Sequence, residues 1–242
     1  MIKASERRDD EKDLVEYIDQ QRLEMQKQGF VAIAMKHSTF INFTEFNREQ
    51  PTYLNVIRNP IDRYISHYYT CRNGKEGNPN SGGPCKEMSD EQLNRPVDEH
   101  FQNIKAVNQS YLSTAYVHWL CGTKPICFQT NNENFSLQKK YEYTKSIALN
   151  QYHSIGLLER LRDSLRLFEK IMPRVYHGAV AAYDNEEKVM KATHNSKTIN
   201  VLPISNKTRT WLERTHFKYD MDLYRYVVAK FNLQFERFVG DS

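Results

Sequence analysis

The chain has 242 residues, with 34 Lys and Arg against 30 Asp and Glu, for a formal net charge of +4. This mild excess suits a site for anionic ligands. No basic stripe interleaved with aromatics marks a nucleic-acid reader, so no nucleic-acid partner is expected. Apolar residues make up 39% and aromatics 12%, enough for one sizeable core, and a single domain over residues 1–242 is expected.

The first ten residues, Met1-Ile-Lys-Ala-Ser-Glu-Arg-Arg-Asp-Asp, hold no apolar stretch and do not read as a signal peptide. No apolar run reaches the roughly 18 residues of a membrane span. Residues 9–28 read as a charged helix with Leu14, Val15, Ile18 and Leu23 inside, closed by Gly29. Phe30 to Met35 is a short apolar run, predicted as a buried strand that delivers Lys36, His37 and Ser38 at its carboxyl end.

A loop then leads to Tyr53-Leu-Asn-Val-Ile-Arg-Asn-Pro-Ile-Asp-Arg-Tyr-Ile-Ser66, the most informative stretch in the chain. Tyr53 to Ile57 predicts a strand running straight into a helix, with Asn59 as N-cap and Pro60 as first helical residue. That geometry aims Arg58 and the free amides of the first turn at one spot, ready to hold an anion. Ser66 shares a helix face with Asn59, Asp62 and Arg63, and Asp62 is placed to pair with Arg58 or Arg63. Ile61, Tyr64, Ile65, Tyr68 and Tyr69 make the buried side. The plainer alternative is an ordinary, well-capped junction.

This helix is expected to end near Gly74, with residues 73–96, rich in Gly, Pro and Asn, as a long surface loop. Helical patterns follow at 97–120 and 135–149. His153 to Leu157 predicts a third strand, and Leu158 to Met172 an amphipathic helix with Leu161, Leu165, Phe168 and Met172 on one face, stopped by Pro173. Residues 184–207 read as polar and irregular, and 208–235 as helix. Strands alternating with helices define an α/β chain with a parallel sheet flanked by helices. Ligands of such sheets sit at the carboxyl ends of the strands, the edge that carries both His37 and Arg58.

Cys71, Cys85, Cys121 and Cys127 show no C-x-x-C and no metal spacing with His, so no metal is expected. Cys121 with Cys127 would close a small loop and Cys71 with Cys85 a larger one, in an oxidising compartment; four free thiols are the alternative. N-x-S/T triplets at Asn42, Asn108, Asn134 and Asn206 lean weakly toward secretion.

Three segments in order, Lys36-His-Ser-Thr-Phe-Ile-Asn-Phe43, Tyr53 to Tyr69, and Trp119-Leu-Cys-Gly-Thr-Lys-Pro-Ile-Cys127, resemble the heparan sulfate and uronyl 2-O-sulfotransferases. Phe40-Ile-Asn-Phe-Thr-Glu-Phe46 is most similar to the insect Pipe branch. The resemblance continues through His153-Ser-Ile-Gly-Leu-Leu-Glu-Arg and Met172-Pro-Arg-Val-Tyr-His-Gly-Ala179. It implies a P-loop-like sulfotransferase fold and 3′-phosphoadenosine 5′-phosphosulfate as donor. By the same resemblance Arg58 and Ser66 hold the 3′-phosphate, and His37 is the base that takes the acceptor's proton. A guanidinium fork and a hydroxyl suit a dianion, and a near-neutral imidazole suits the base. Lys191 and Thr193, in Met190-Lys-Ala-Thr-His194, resemble a late loop that closes over the nucleotide.

The resemblance further implies a glycosaminoglycan or glycoprotein acceptor, a homotrimer, and a Golgi-lumenal site anchored to the membrane. One departure stands out. Family members open this domain with a strand and a Pro-Lys-Thr/Val-Gly/Ala-Ser loop that cradles the 5′-phosphosulfate, and neither occurs in this sequence. The expected fold therefore lacks the first strand and its phosphate loop. The chain then reads either as a truncated enzyme or as an inactive homologue, a non-catalytic lumenal binding or assembly partner. A P-loop kinase is disfavoured because no G-x-x-x-x-G-K-[ST] occurs.

Overall fold

The computed structural model describes residues 4–34, 39–77, 91, 94–102, 115–128, 137–193 and 202–240. Helix α1 spans Ala4–Lys27, and a 3-10 turn spans Phe43–Phe46. Strand β1 is Tyr53–Ile57 and helix α2 Pro60–Gly77. Helices α3 (Val97–Gln102), α4 (Ala115–Cys121), α5 (Pro125–Phe128) and α6 (Leu137–Asn150) lead to strand β2 (Tyr152–Leu157). After a 3-10 turn at Leu158–Arg160 come α7 (Leu161–Ile171), α8 (Pro173–Tyr176), α9 (Ala179–Thr193), α10 (Asn206–Arg214) and α11 (Lys218–Val239).

Among the described residues the sheet is β1 and β2 side by side in parallel, with Ile57 opposite Leu157 and a register shift between Tyr53 and Leu54. Parallel strands need their faces covered, and β2 shows it: every residue except His153 is buried, with α6, α7 and α11 packed against it. Gly156 lets α7 approach β2 closely, because a Cβ there would meet the Ser164 Cβ at 2.8 Å. The buried Ser164 hydroxyl in turn accepts the Leu157 amide at 2.8 Å, tying the end of β2 to α7. The core of this half includes Ile57, Ile155, Leu157, Leu167, Leu223, Val227 and Phe231.

Helix α2 buries the stripe expected of it. Ile61, Tyr64, Ile65, Tyr68 and Tyr69 are all buried and join Val97, Phe101, Leu212 and Phe217 in a second cluster. The helix runs on to Gly77, so the start of the expected 73–96 loop is helical; residues 78–90 lie outside the described residues.

Other expectations are corrected. Residues 30–34 are irregular, not a buried strand, and Phe30 and Ile33 are each 62% exposed. No described strand lies beside them, so their backbone has no ladder to join. Leu23 is exposed because the cluster around Val15, Ile41 and Phe43 covers only Leu14, Val15 and Ile18 of α1. The buried face of α7 is centred on Ser164, Leu167 and Phe168 rather than on Leu161 and Leu165, because β2 meets the helix at Ser164. Pro173 stops α7 and also opens α8, as its fixed φ allows.

Residues 184–193 are helix, the second part of α9, whose Ala-, Glu- and Lys-rich sequence has high helix propensity. The final helical stretch is two helices, broken at Thr215, whose amide folds back on the Trp211 and Leu212 carbonyls.

Candidate functional site

The site begins where β1 ends. The ladder stops at Ile57, and the next two amides are taken by side chains from distant parts of the chain. Arg58 N–H donates to Tyr116 Oη at 2.9 Å, and Asn59 N–H donates to Glu159 Oε1 at 2.5 Å. Asn59 is the N-cap of α2, its Oδ1 accepting from Ile61 N and Asp62 N at 3.0 and 3.3 Å, while its carbonyl takes the Arg63 amide. Pro60 has no N–H. The expectation of free first-turn amides is thus corrected: the cap that starts the helix also consumes them. An anion at this junction would be held by side chains.

The side chain best placed for that is Arg58. It is half-buried at the carboxyl end of β1, and among the described residues it makes no hydrogen bond or ion pair. Most described arginines that share its partial burial are paired, including Arg22 with Asp19, Arg160 with Asp163 and Arg209 with Asp62. The last pair corrects another expectation. Asp62 is held by α10, not by Arg58 or Arg63, which leaves the Arg58 charge uncompensated by it. Asn59, Asp62, Arg63 and Ser66 share one half-buried face of α2, as their spacing requires. Ser66 lies six residues past Pro60, about 9 Å along the axis.

Behind Arg58 stands α4. Asp220, fully buried on α11, accepts the Tyr116 and Val117 amides at 3.0 and 2.9 Å and so caps α4 from more than a hundred residues away. Burial pushes this carboxyl up to about 7, against the pull of those amides and of Arg63. The Arg63 guanidinium stacks on Tyr116 and Trp119, 5.3 and 5.0 Å from the ring centroids. Burial also raises the Tyr116 phenol to about 12, so it stays neutral.

Tyr116, Glu159 and Asp220 were not singled out by the sequence. Asp220 did carry a signal: it sits on the same helical face as Leu223, Val227 and Phe231, an acid at a core position. Tyr116 and Glu159 had none, since their importance lies in amides 58 and 100 residues away.

His37, with Lys36 and Ser38, lies outside the described residues. The chain beyond it is anchored at α4. Phe40 N–H donates to the Trp119 carbonyl at 3.4 Å, and Gly122, at φ +98°, lets Phe40 approach, since a Cβ there would meet the Phe40 carbonyl oxygen at 2.7 Å. Lys191 and Thr193 fall in the last turn of α9 rather than on a loop, and their side chains lie outside the described residues.

Next to α4, Cys121 and Cys127 form a disulfide, and Cys71 is also disulfide-bonded. Lys140, buried on α6, lies 3.3 Å from His118 Nδ1. Burial, and then the Lys140 charge, lowers His118 to about 4.

The described residues thus form an α/β fold with a half-buried arginine, unpaired among them, at the carboxyl end of a parallel strand. The chain matches the Sulfotransferase family over residues 3–227, and it belongs to that family. It is similar to human uronyl 2-sulfotransferase (24% identity, 84% of this chain and 48% of the relative). It is also similar to Xenopus laevis heparan sulfate 2-O-sulfotransferase 1 (28%, 81% and 51%) and to Drosophila melanogaster heparin sulfate O-sulfotransferase (25%, 81% and 52%). The chain spans about half the length of these curated relatives.

Proposed function

We propose that this chain carries the 3′-phosphate half of the donor site of a glycan sulfotransferase. The donor is 3′-phosphoadenosine 5′-phosphosulfate, and the acceptor is a hydroxyl on a heparan sulfate-like or related glycan, the class named by the relatives. Arg58 gives a two-pronged, permanently charged contact to the phosphate oxygens, and the Ser66 hydroxyl adds a further donor. His37 takes the proton of the acceptor hydroxyl as its oxygen bonds to sulfur and the sulfur–oxygen bridge to the 5′-phosphate breaks. Adenosine 3′,5′-bisphosphate leaves. Lys191 and Thr193, at the end of α9, are assigned to the nucleotide through the same resemblance. The disulfides fit an oxidising compartment such as the Golgi lumen.

The observation that carries this reading is the Arg58 guanidinium, half-buried at the strand end of a sulfotransferase-family chain without an acidic partner among the described residues. Calorimetric titration with adenosine 3′,5′-bisphosphate tests it. Saturable binding that falls at least tenfold in Arg58→Ala, with partial recovery in Arg58→Lys, is expected. A chain that binds no bisphosphate nucleotide overturns the donor reading and leaves a non-catalytic lumenal partner as the alternative.

A further inference from the structure

We propose that Tyr116 is a positioning residue for Arg58, an inference that rests on the donor reading above for its role and on the geometry for its contact. Arg58 is the first residue past the β1–β2 ladder, so its amide has no strand partner. A residue at a strand end frays unless something else holds its backbone. Tyr116 Oη takes that amide at 2.9 Å, and the tyrosine is itself held on three sides.

Its ring lies under the Arg63 guanidinium and against Trp119, with centroids 5.9 Å apart. Its own amide donates to the buried Asp220 carboxyl group. Its side chain is 3% exposed within the core that also contains Ile57 and Leu120. A chain of fixed groups therefore runs from α11 through α4 to the Arg58 backbone. The Glu159 contact to Asn59 N–H holds the following peptide.

Such an arrangement fixes the backbone from which the Arg58 side chain projects before the ligand arrives, which lowers part of the ordering cost of binding. The phenol, raised by burial, stays a neutral acceptor across the working pH range. Nothing in the local sequence requires a tyrosine at this position of α4. Phenylalanine would pack the same volume but leave the Arg58 amide unmet.

The test is Tyr116→Phe in the full chain, alone and combined with Arg58→Ala, titrated with adenosine 3′,5′-bisphosphate. Tyr116→Phe is expected to weaken binding roughly three- to tenfold, the worth of one hydrogen bond, and to add nothing in the Arg58→Ala background. Equal losses in both backgrounds, or no loss, overturn the proposal. A second readout needs no nucleotide. Amide hydrogen exchange at Arg58 is expected to speed up in Tyr116→Phe while Leu54 and Ile57 keep their protection. Unchanged exchange at Arg58 likewise overturns the proposal. If the unaltered chain binds no nucleotide, the donor reading fails on its own, and the exchange at Arg58 still decides whether Tyr116 sets that residue.

Discussion

Two five-residue apolar runs, 30–34 and Tyr53–Ile57, look alike in sequence and end differently. The second pairs with β2, buries Ile57 and delivers Arg58 to a defined place. The first leaves Phe30, Val31 and Ile33 exposed in irregular backbone. An apolar run becomes a strand when a neighbouring strand satisfies its amides and a helix covers its side chains. Tyr53–Ile57 has both, with β2 on one side and the α4–α6–α11 core behind. The run at 30–34 has neither among the described residues.

Substitutions can sharpen this contrast. Ile57→Ala, in the packed run, is expected to cost about 2–5 kcal/mol, read from urea unfolding. Asn59→Ala removes the cap that turns the strand into α2, and a loss of about 1 kcal/mol is expected, with faster amide exchange at Ile61 and Asp62. Tyr53→Phe deletes the hydroxyl that donates to the Ile41 carbonyl at 3.0 Å. It should cost up to about 1 kcal/mol, measured the same way. Ile33→Ser, in the exposed run, is expected to change stability by less than about 0.5 kcal/mol. A loss as large as that of Ile57→Ala would show that the run is buried after all.

The smallest net effect is expected from pH, because two groups oppose each other. His118 is lowered to about 4 from the ordinary 6.5, so the unfolded chain binds its proton first and stability falls as pH drops from 6.5 toward 4. Asp220 is raised from 3.8 to about 7, so the folded chain holds that proton and stability falls as pH rises across the same window. Melting temperatures between pH 4.5 and 7 should therefore separate in the variants. His118→Gln leaves the Asp220 slope, with relatively greater stability at acid pH, and Asp220→Asn leaves the opposite slope.

Local pattern carried a good part of the candidate site. Asn59 and Pro60 announced the start of α2, the Ile61–Tyr64–Ile65–Tyr68 stripe announced its buried face, and the position of Arg58 after an apolar run announced a strand-end guanidinium. Capping, periodicity and strand length act within a few residues, so they are written in neighbouring letters. The cap also consumes the amides expected to bind an anion, because the Asn59 side chain that starts the helix accepts from the Ile61 and Asp62 amides.

The amino-acid sequence by itself determined that α2 starts at Asn59 and Pro60, directly after Arg58, and which side of α2 is buried. Tertiary structure alone decided that β1 pairs with β2, that Asp62 goes to Arg209 and leaves Arg58 without it, that Tyr116 and Glu159 hold the junction amides, and that residues 30–34 stay uncovered. These outcomes join residues from 58 to 147 positions apart. Which distant partner wins depends on the packing of the whole chain and not on the propensity of any segment.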